Sequence, residues 1–382
     1  MQLFRLSNHP LVRWWWSMDR PTFTLVLLLM LIGCVVVVTA SSGVATDYRV
    51  DAFYFARRQV AFILASIPLL LVCSMLSHKG LKIVAAVMCV VGVVGVVATL
   101  FVGADVKGAT RWLSIGPFKV QPSEFLKPAF ILLTAWLLSS TNPHVRQKGF
   151  FASMVILGLL CLLFIAQPNF GMALVFGMVW FAQVFVAGAS LLILVPMIAL
   201  AVLGVLGGYS FLPHVRSRID RFLDPDSGDT FQVDQAREAL LSGGFIGRGP
   251  GEGVVKHTLP DAHTDFVFAV IGEEFGLVVC SLILLIYAII VYRGFRRLWG
   301  HENAFEIVAG TGLLILFSLQ VLVNVGVALH VLPTTGMTLP FISYGGSSTL
   351  ALAMTVGFMF ALTRKSAGDW TPPRRKAPHV GR

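Results

Sequence analysis

Few side chains in this sequence could do acid–base or electrostatic chemistry, and most of them fall late in the chain. The run Lys256-His257-Thr258-Leu259-Pro260-Asp261-Ala262-His263-Thr264-Asp265-Phe266 gathers a lysine, two imidazoles and two carboxylates directly before a long apolar stretch. Pro260 resets the backbone, and Thr264 or Asp265 is placed to cap the helix that follows. Asp265 therefore has two compatible readings, an ordinary N-cap and a general base beneath a mobile loop. A helix N-terminus favours its ionisation, whereas partial burial in lipid disfavours it, and a base needs that balance. His257 and His263 lack the Cys or third close His of a metal site and read as polar loop residues.

Three further segments carry unusual chemistry. In Arg111-Trp112…Gln121-Pro122-Ser123-Glu124-Phe125-Leu126-Lys127, Pro122 suits a first helical turn and Glu124 the positive end of the helix. Glu124 and Lys127 either form a local ion pair or line a cavity near Asp265, with Lys127 or Arg111 facing an anionic substrate. The run Gly243–Gly253 holds six glycines but no GK[ST], so it is no Walker loop. It is either a flexible connector or a backbone that closes on a bulky substrate. Finally, two prolines and three glycines between Pro333 and Gly346 predict a shaped re-entrant turn lining a cavity or buried in protein.

These segments need a scaffold. Of the 382 residues, 56% are hydrophobic and 13% charged, and the formal net charge is +10. Soluble domains carry roughly 25% charged residues. The combination excludes a disordered acidic chain, a disulfide scaffold and an ordinary cytosolic enzyme, and a nucleic-acid binder would not carry so much apolar sequence. A bilayer core about 30 Å thick takes roughly 20 apolar residues per helix. Ten segments fit: 22–41, 59–76, 83–102, 122–140, 150–166, 170–187, 191–212, 266–292, 303–331 and 345–363. An even number puts both termini on one side. Lys79, Lys82, Arg146, Lys148, Arg293 and Arg296 in short loops make that side cytoplasmic, although Arg49, Arg57 and Arg58 pull the other way.

The expected fold is thus an all-α polytopic membrane protein of about ten transmembrane helices, N-in and C-in. Residues 1–21 form a cytoplasmic N-terminus with no cleavable signal peptide, and Trp14–Trp16 sit at the headgroup layer. A single transmembrane domain spans 22–363, and a disordered basic cytoplasmic tail spans 364–382. Within the domain lies a long external loop, 213–265, holding nine acids and six cations. The centre of that loop, Phe231–Leu241, has helical spacing and is expected along the membrane surface. All five cysteines fall in proposed spans, so no disulfide is expected. Glu273 and Glu274 lie about 12 Å of helix rise beyond Asp265. A charge at mid-bilayer costs at least about 2.5 kcal/mol, so hydrogen bonds to Gln320 or Asn324, or a proton path, are expected there.

Three motifs in order resemble those of the SEDS family (shape, elongation, division and sporulation), bacterial peptidoglycan glycosyltransferases. They are Gln121-Pro122-Ser123-Glu124 with Lys127, Leu259-Pro260 with His263-Thr264-Asp265-Phe266 and Gly272-Glu273-Glu274, and Leu332-Pro333 through Ser348. The resemblance covers about 22–364. Phe222-Leu223-Asp224-Pro225, Phe231-Gln232, Lys256 and Ile271–Glu274 look more like the division-type, FtsW-like branch than the elongation-type, RodA-like one. Asp261 stands where the family usually has Glu, and Phe231 where Tyr is common.

The resemblance implies polymerisation of lipid II, in which a sugar 4-hydroxyl displaces undecaprenyl pyrophosphate with inversion. The family's catalytic Asp falls on Asp265, and Glu124 and Lys127 fall on positions whose loss impairs function. Arg111, Lys127, Arg248 and Lys256 are candidates to offset charge on the pyrophosphate; His263, Thr264, Ser343 and Tyr344 complete the candidate substrate-binding set. A divalent cation, Mg or Mn, could share that role, although no metal cage is legible. Implied partners are a class B penicillin-binding protein transpeptidase, other divisome membrane proteins and membrane lipid, but no nucleic acid. The implied location is the bacterial inner membrane at the division septum. The competing readings are a lipid II flippase and a division scaffold. A flippase usually shows paired interrupted helices, and the sequence displays one strong interruption.

Overall fold

The computed structural model describes residues 10–47, 51, 53–106, 109–116, 118–224 and 231–364, so the first nine residues and the predicted tail beyond Arg364 fall outside them. Each predicted apolar segment is a helix. Among lipid tails a backbone must satisfy its own polar groups, and helix is the local way to do so. After a short helix α1 (Pro10–Ser17) come α2 (Arg20–Asp47), α3 (Tyr54–Ser74), α4 (His78–Val102), α5 (Pro122–Leu138), α6 (Pro143–Ala166), α7 (Phe170–Val186) and α8 (Leu191–Phe211). Two helices of the long loop follow, α9 (Pro213–Leu223) and α10 (Phe231–Gly243), then α11 (Val267–Leu298), α12 (Ala304–Ala328) and α13 (Gly346–Leu362). Seven of them, α2, α3, α4, α6, α8, α11 and α12, are long and apolar enough to cross a membrane. The remaining three apolar helices, α5, α7 and α13, have 17 residues each.

Two large apolar cores flank α12, and a smaller third one gathers Val37, Phe55, Ala239, Leu259, Phe266 and Val327. Of the large pair, one joins α4, α5, α6 and α7 around Phe130, Phe164 and Phe176. The other joins α2, α3, α11 and α13 around Leu70, Phe317 and Phe360. One end is tied by charge: buried Asp19 accepts from Arg293 at 2.6 Å and Arg297 at 3.1 Å, and His78 pairs with Glu306 at 3.0 Å. Arg364 donates to the Leu76 carbonyl there at 2.7 Å. The motif segments gather at the opposite end.

One expectation needs correction. The chain is not purely α: β1 (Ala104–Val106), β2 (Ala109–Ile115) and β3 (Phe118–Val120) form an antiparallel sheet in the order β1-β2-β3. Ile115 pairs with Phe118 across a tight turn where Gly116 takes φ 59°, the left-handed conformation glycine tolerates best. A short polar loop with branched and aromatic residues around such a turn pairs as strands once water is present. Helix α10 packs on α11 and buries Ala236 and Ala239 completely.

The re-entrant prediction is supported by a deep, irregular 329–345 segment between α12 and α13. Leu339, Phe341 and Ile342 are buried, and Tyr287 of α11 donates to the Pro340 carbonyl at 2.6 Å. It reaches this depth because α2 has Gly33 at the crossing. A Cβ there would lie 2.1 Å from the Phe341 carbonyl oxygen.

Candidate active site

The segment leading into α11 folds as a tight turn around the Asp261 carbonyl, which accepts from the N–H of Thr264 at 3.0 Å and of Asp265 at 3.1 Å. Thr264 Oγ1 also donates to it, at 3.2 Å, and the helix begins after Phe266 with no side-chain cap. The capping role expected of Thr264 or Asp265 is therefore absent, and the Asp265 side chain stands half-buried at the turn. Asp261 itself has φ 56°, which short acidic side chains tolerate.

This turn is clamped carbonyl by carbonyl. The Tyr344 N–H donates to the His263 carbonyl at 2.9 Å, and Ser343 Oγ donates to the Thr264 carbonyl at 2.6 Å. Asn324 Nδ2 on α12 donates to the Asp265 carbonyl at 2.9 Å and to the Met337 carbonyl at 2.7 Å. Ser343 is itself fixed, accepting from the Leu339 N–H at 2.8 Å while Gln59 of α3 donates to its carbonyl at 3.3 Å. Gly336 stands beside the carboxylate, a Cβ there lying at an ordinary contact distance of 3.6 Å from Asp265 Oδ2, and its φ of 74° is what favours glycine. Phe55, His263 and Tyr344 pack ring to ring beside the turn, with centroids 4.7 to 5.4 Å apart. Ser343 and Tyr344 thus position the aspartate through the backbone.

The cations differ in what holds them. Lys127 Nζ sits 2.9 Å from both oxygens of Glu124, and both residues are buried at the start of α5. The α5 entry is fixed to the first turn of α13 through Ser347, which accepts from the Gln121 N–H at 3.1 Å. Lys256, expected to face substrate, is buried instead. Its ammonium meets Glu274 at 2.5 Å and the carbonyls of Thr39 at 3.2 Å and Gly251 at 2.9 Å. Arg248 is exposed and held on its own loop by the Ser242 carbonyl at 3.3 Å.

Arg111 behaves differently. It leans from β2 onto the turn before α7, donating to the Pro168 carbonyl and, at 3.4 Å, to the Gln167 carbonyl. From the other side Arg218 of α9 donates to the Thr334 carbonyl at 3.1 Å. Burial, then repulsion from Arg218, pulls Arg111 down to about 10, and the negative charge of Asp265 opposes this. Burial, then Arg221, lowers Arg218, again opposed by Asp265. His214 is lowered by burial and by both arginines. Sequence reading missed Arg218 and His214, because nothing in the spacing of the long loop marks which of its six cations turns inward.

The glycine run is not a loose connector. Helix α11 breaks at Gly276 (φ 77°), and the loop docks in the break. Arg248 and Gly249 N–H groups donate to the Glu273 and Glu274 carbonyls at 2.9 and 3.0 Å, and Leu277 N–H donates to the Gly244 carbonyl at 2.9 Å. The approach needs glycine, since a Cβ at Gly247 would lie 2.3 Å from the Glu274 carbonyl oxygen. The two glutamates do not bond to Gln320 or Asn324, as expected from the sequence. Glu273 accepts from the N–H groups of Val254, Val255 and Lys256 at 2.7 to 3.0 Å, and Glu274 holds the Lys256 ammonium. Both carboxylates are spent on anchoring this loop, which explains charge at that depth.

Among the described residues no three His, Cys, Asp or Glu side chains converge as a metal site would need. What the arrangement offers is one aspartate on a rigid turn, with two partly desolvated guanidiniums near enough to feel its charge. Such a carboxylate can accept a proton, and such cations can hold an anion.

The chain is similar to known proteins over nearly its whole length. The "Cell cycle protein" family model FTSW_RODA_SPOVE matches residues 19–368. A protein named probable peptidoglycan glycosyltransferase FtsW, from Caulobacter vibrioides, is 37% identical over 367 residues, covering 96% of this chain and 94% of its own. Stage V sporulation protein E of Bacillus subtilis is 32% identical over 359 residues, covering 92% and 98%. Among solved structures, a chain of a peptidoglycan synthase complex described as coordinating polymerization and crosslinking superimposes with TM-score 0.74 at 27% identity, covering 91% and 97%. The crystal structure of the rod shape determining protein RodA of Thermus thermophilus gives 0.68 at 26% identity, with the same coverage. Matched by the family model over nearly its whole length and by relatives above 30% identity, the chain belongs to the FtsW, RodA and SpoVE family of cell cycle proteins.

Proposed function

We propose that this chain is a peptidoglycan glycosyltransferase that polymerises lipid II into glycan strands during septal wall synthesis, with Asp265 as general base. The observation that carries the assignment of the base is the three-carbonyl clamp. Hydrogen bonds from α12 and from the segment before α13 fix the backbone of Asp265, while its carboxylate stays half-buried. Holding a reacting group in one pose is worth a large part of a catalytic barrier. In the reaction the acceptor 4-hydroxyl gives its proton to Asp265 as its oxygen bonds to the donor's anomeric carbon. The bond from that carbon to the lipid diphosphate breaks, and the electron pair leaves with the diphosphate.

Ten membrane passes with both termini in the cytoplasm suit this reading. The Asp19, His78, Glu306 and Arg364 contacts then lie on the inner face and the Asp265 turn on the outer, where the wall is built. One transmembrane domain over 22–363, with 213–265 folded over its outer end, is the corresponding organisation. A class B penicillin-binding protein transpeptidase is the natural partner, since new strands need crosslinking, and the division septum the natural location. One observation favours a flippase: α11 is interrupted at Gly276, giving a second broken helix beside the 329–345 segment. Its freed backbone groups, however, are taken by the glycine loop and line no open pathway.

Glycan synthesis by the purified protein on lipid II, with and without the transpeptidase, tests the assignment. Asp265→Ala is expected to abolish polymer while the melting temperature and partner binding persist. Normal polymerisation by that variant overturns the base; wild-type protein that moves lipid II across liposomes yet never polymerises it overturns the enzyme.

A further inference from the structure

Arg111 and Arg218 reach one wall of the site from separate elements, and their hydrogen bonds end on main-chain carbonyls. Each guanidinium has five N–H donors in a planar fork, so donors remain on both after these one or two bonds. The wall is continuous. A Cβ at Gly171, just after the Gln167–Pro168 turn, would lie 3.7 Å from Thr335, and one at Gly336 would lie 3.6 Å from Asp265 Oδ2. The carbonyls that hold the two arginines, at Pro168 and Thr334, thus belong to stretches that touch each other and the base.

Three polar atoms along these stretches are buried and have no hydrogen-bond partner among the described residues: Asn169 Nδ2, Thr335 Oγ1 and His214 Nε2. Asn169 is only 5% exposed. Burying an unpaired donor is costly, and so is bringing two guanidiniums together around a single carboxylate. An anion with several acceptor oxygens relieves both. The two lysines of the motifs are already paired with Glu124 and Glu274, so their charge is offset by a carboxylate before any substrate arrives.

We propose that Arg111 and Arg218, with Asn169, Thr335 and His214 beside them, form the subsite for the donor's diphosphate. The proposal rests on the glycosyltransferase reading above and names where its leaving group is held. Two planar forks on different elements match two phosphoryl groups better than one, which predicts selectivity for a diphosphate over a monophosphate. Arg111 is anchored on the bundle and Arg218 on the long loop, so a bound diphosphate also ties the loop to the bundle.

The test is equilibrium binding of undecaprenyl diphosphate and undecaprenyl monophosphate to the full chain in nanodiscs, with no turnover involved. Wild type and Asp265→Asn are expected to prefer the diphosphate at least tenfold. Arg218→Gln and Arg111→Gln are expected to lose that preference and the steep salt dependence that accompanies it. Arg218→Lys keeps the charge without the fork; it should melt like wild type and bind the diphosphate threefold to tenfold more weakly. Wild-type preference in the folded Arg218→Gln protein, or unchanged diphosphate affinity in Arg218→Lys, overturns the proposal. Polymerisation by wild type and its loss in Asp265→Ala are read separately, so either reading can fail alone.

Discussion

Replacing Asn324 by Asp is the sharpest probe of the clamp, because it exchanges one amide for a carboxylate of the same shape. Asn324 Nδ2 donates to the Asp265 carbonyl at 2.9 Å and the Met337 carbonyl at 2.7 Å. An ionised carboxylate donates to neither, and sets like partial charges against each other at those distances. A buried carbonyl deprived of its donor costs about 1–3 kcal/mol, so two cost about 2–6 kcal/mol if the turn holds its place. If the turn moves instead, the loss appears in the chemistry, and a shift of about 1 Å in a reacting group can cost 10²-fold. Each 1.36 kcal/mol taken from the transition state is tenfold in rate. Relief of even half the strain by movement of the turn therefore predicts a kcat loss of roughly ten- to a hundredfold, with KM changed far less. Initial rates of glycan formation on lipid II, beside thermal unfolding in the same detergent, separate the two routes. Asn324→Ala, which removes the donors without adding charge, should fall between Asp and wild type. A double-mutant cycle with Ser343→Ala should show coupling above about 0.5 kcal/mol, since both hold one turn. Asn324→Asp protein with wild-type kcat and an unshifted melting temperature would refute the argument.

Other consequences are simpler. Lys256→Met leaves Glu274 buried without its partner and should destabilise by about 3–5 kcal/mol in denaturant unfolding, whereas Lys256→Met with Glu274→Leu should recover most of it. Gly336→Ala places a side chain in a left-handed backbone against the Asp265 carboxylate; a cost of about 1–2 kcal/mol and a clear fall in kcat are expected in the polymerisation assay. Gly33→Ala drives a methyl into the Phe341 carbonyl and should lower stability by about 1–3 kcal/mol, read as a drop in melting temperature, with activity lost in step.

Much of the fold is legible from hydropathy, because a run of about 20 uncharged residues has few alternatives to a helix. The Asp265 turn is legible too, since few other segments combine a proline reset with acid–base side chains at the mouth of an apolar helix. What stays hidden is contact at long range. Gly33 looks like any glycine in a plain span, yet it decides how deep Phe341 can go. Glu273 and Glu274 look like intramembrane charges awaiting a proton, while their partners lie in a loop some twenty residues earlier. Lys256 sits among the reactive residues but points into the protein, and Arg218, in a loop with several arginines, points toward the site. Pattern and period speak of faces and elements, and these choices depend on which elements meet.

The Gly33–Phe341 crossing also says when the site can exist. Helix α2 is made some three hundred residues before the segment it receives. Near it Gly346 and Gly357 of α13 close on Phe62 and Leu70 of α3, again joining late chain to early. Asp265 is translated some eighty residues before the Ser343 and Tyr344 that hold its turn in place. During synthesis, at about 5–20 residues per second, the carboxylate therefore waits several seconds on an unfastened turn. A nascent copy that stops short of Ser343 and Tyr344 carries the aspartate but not its fastening, so catalytic competence waits for those residues.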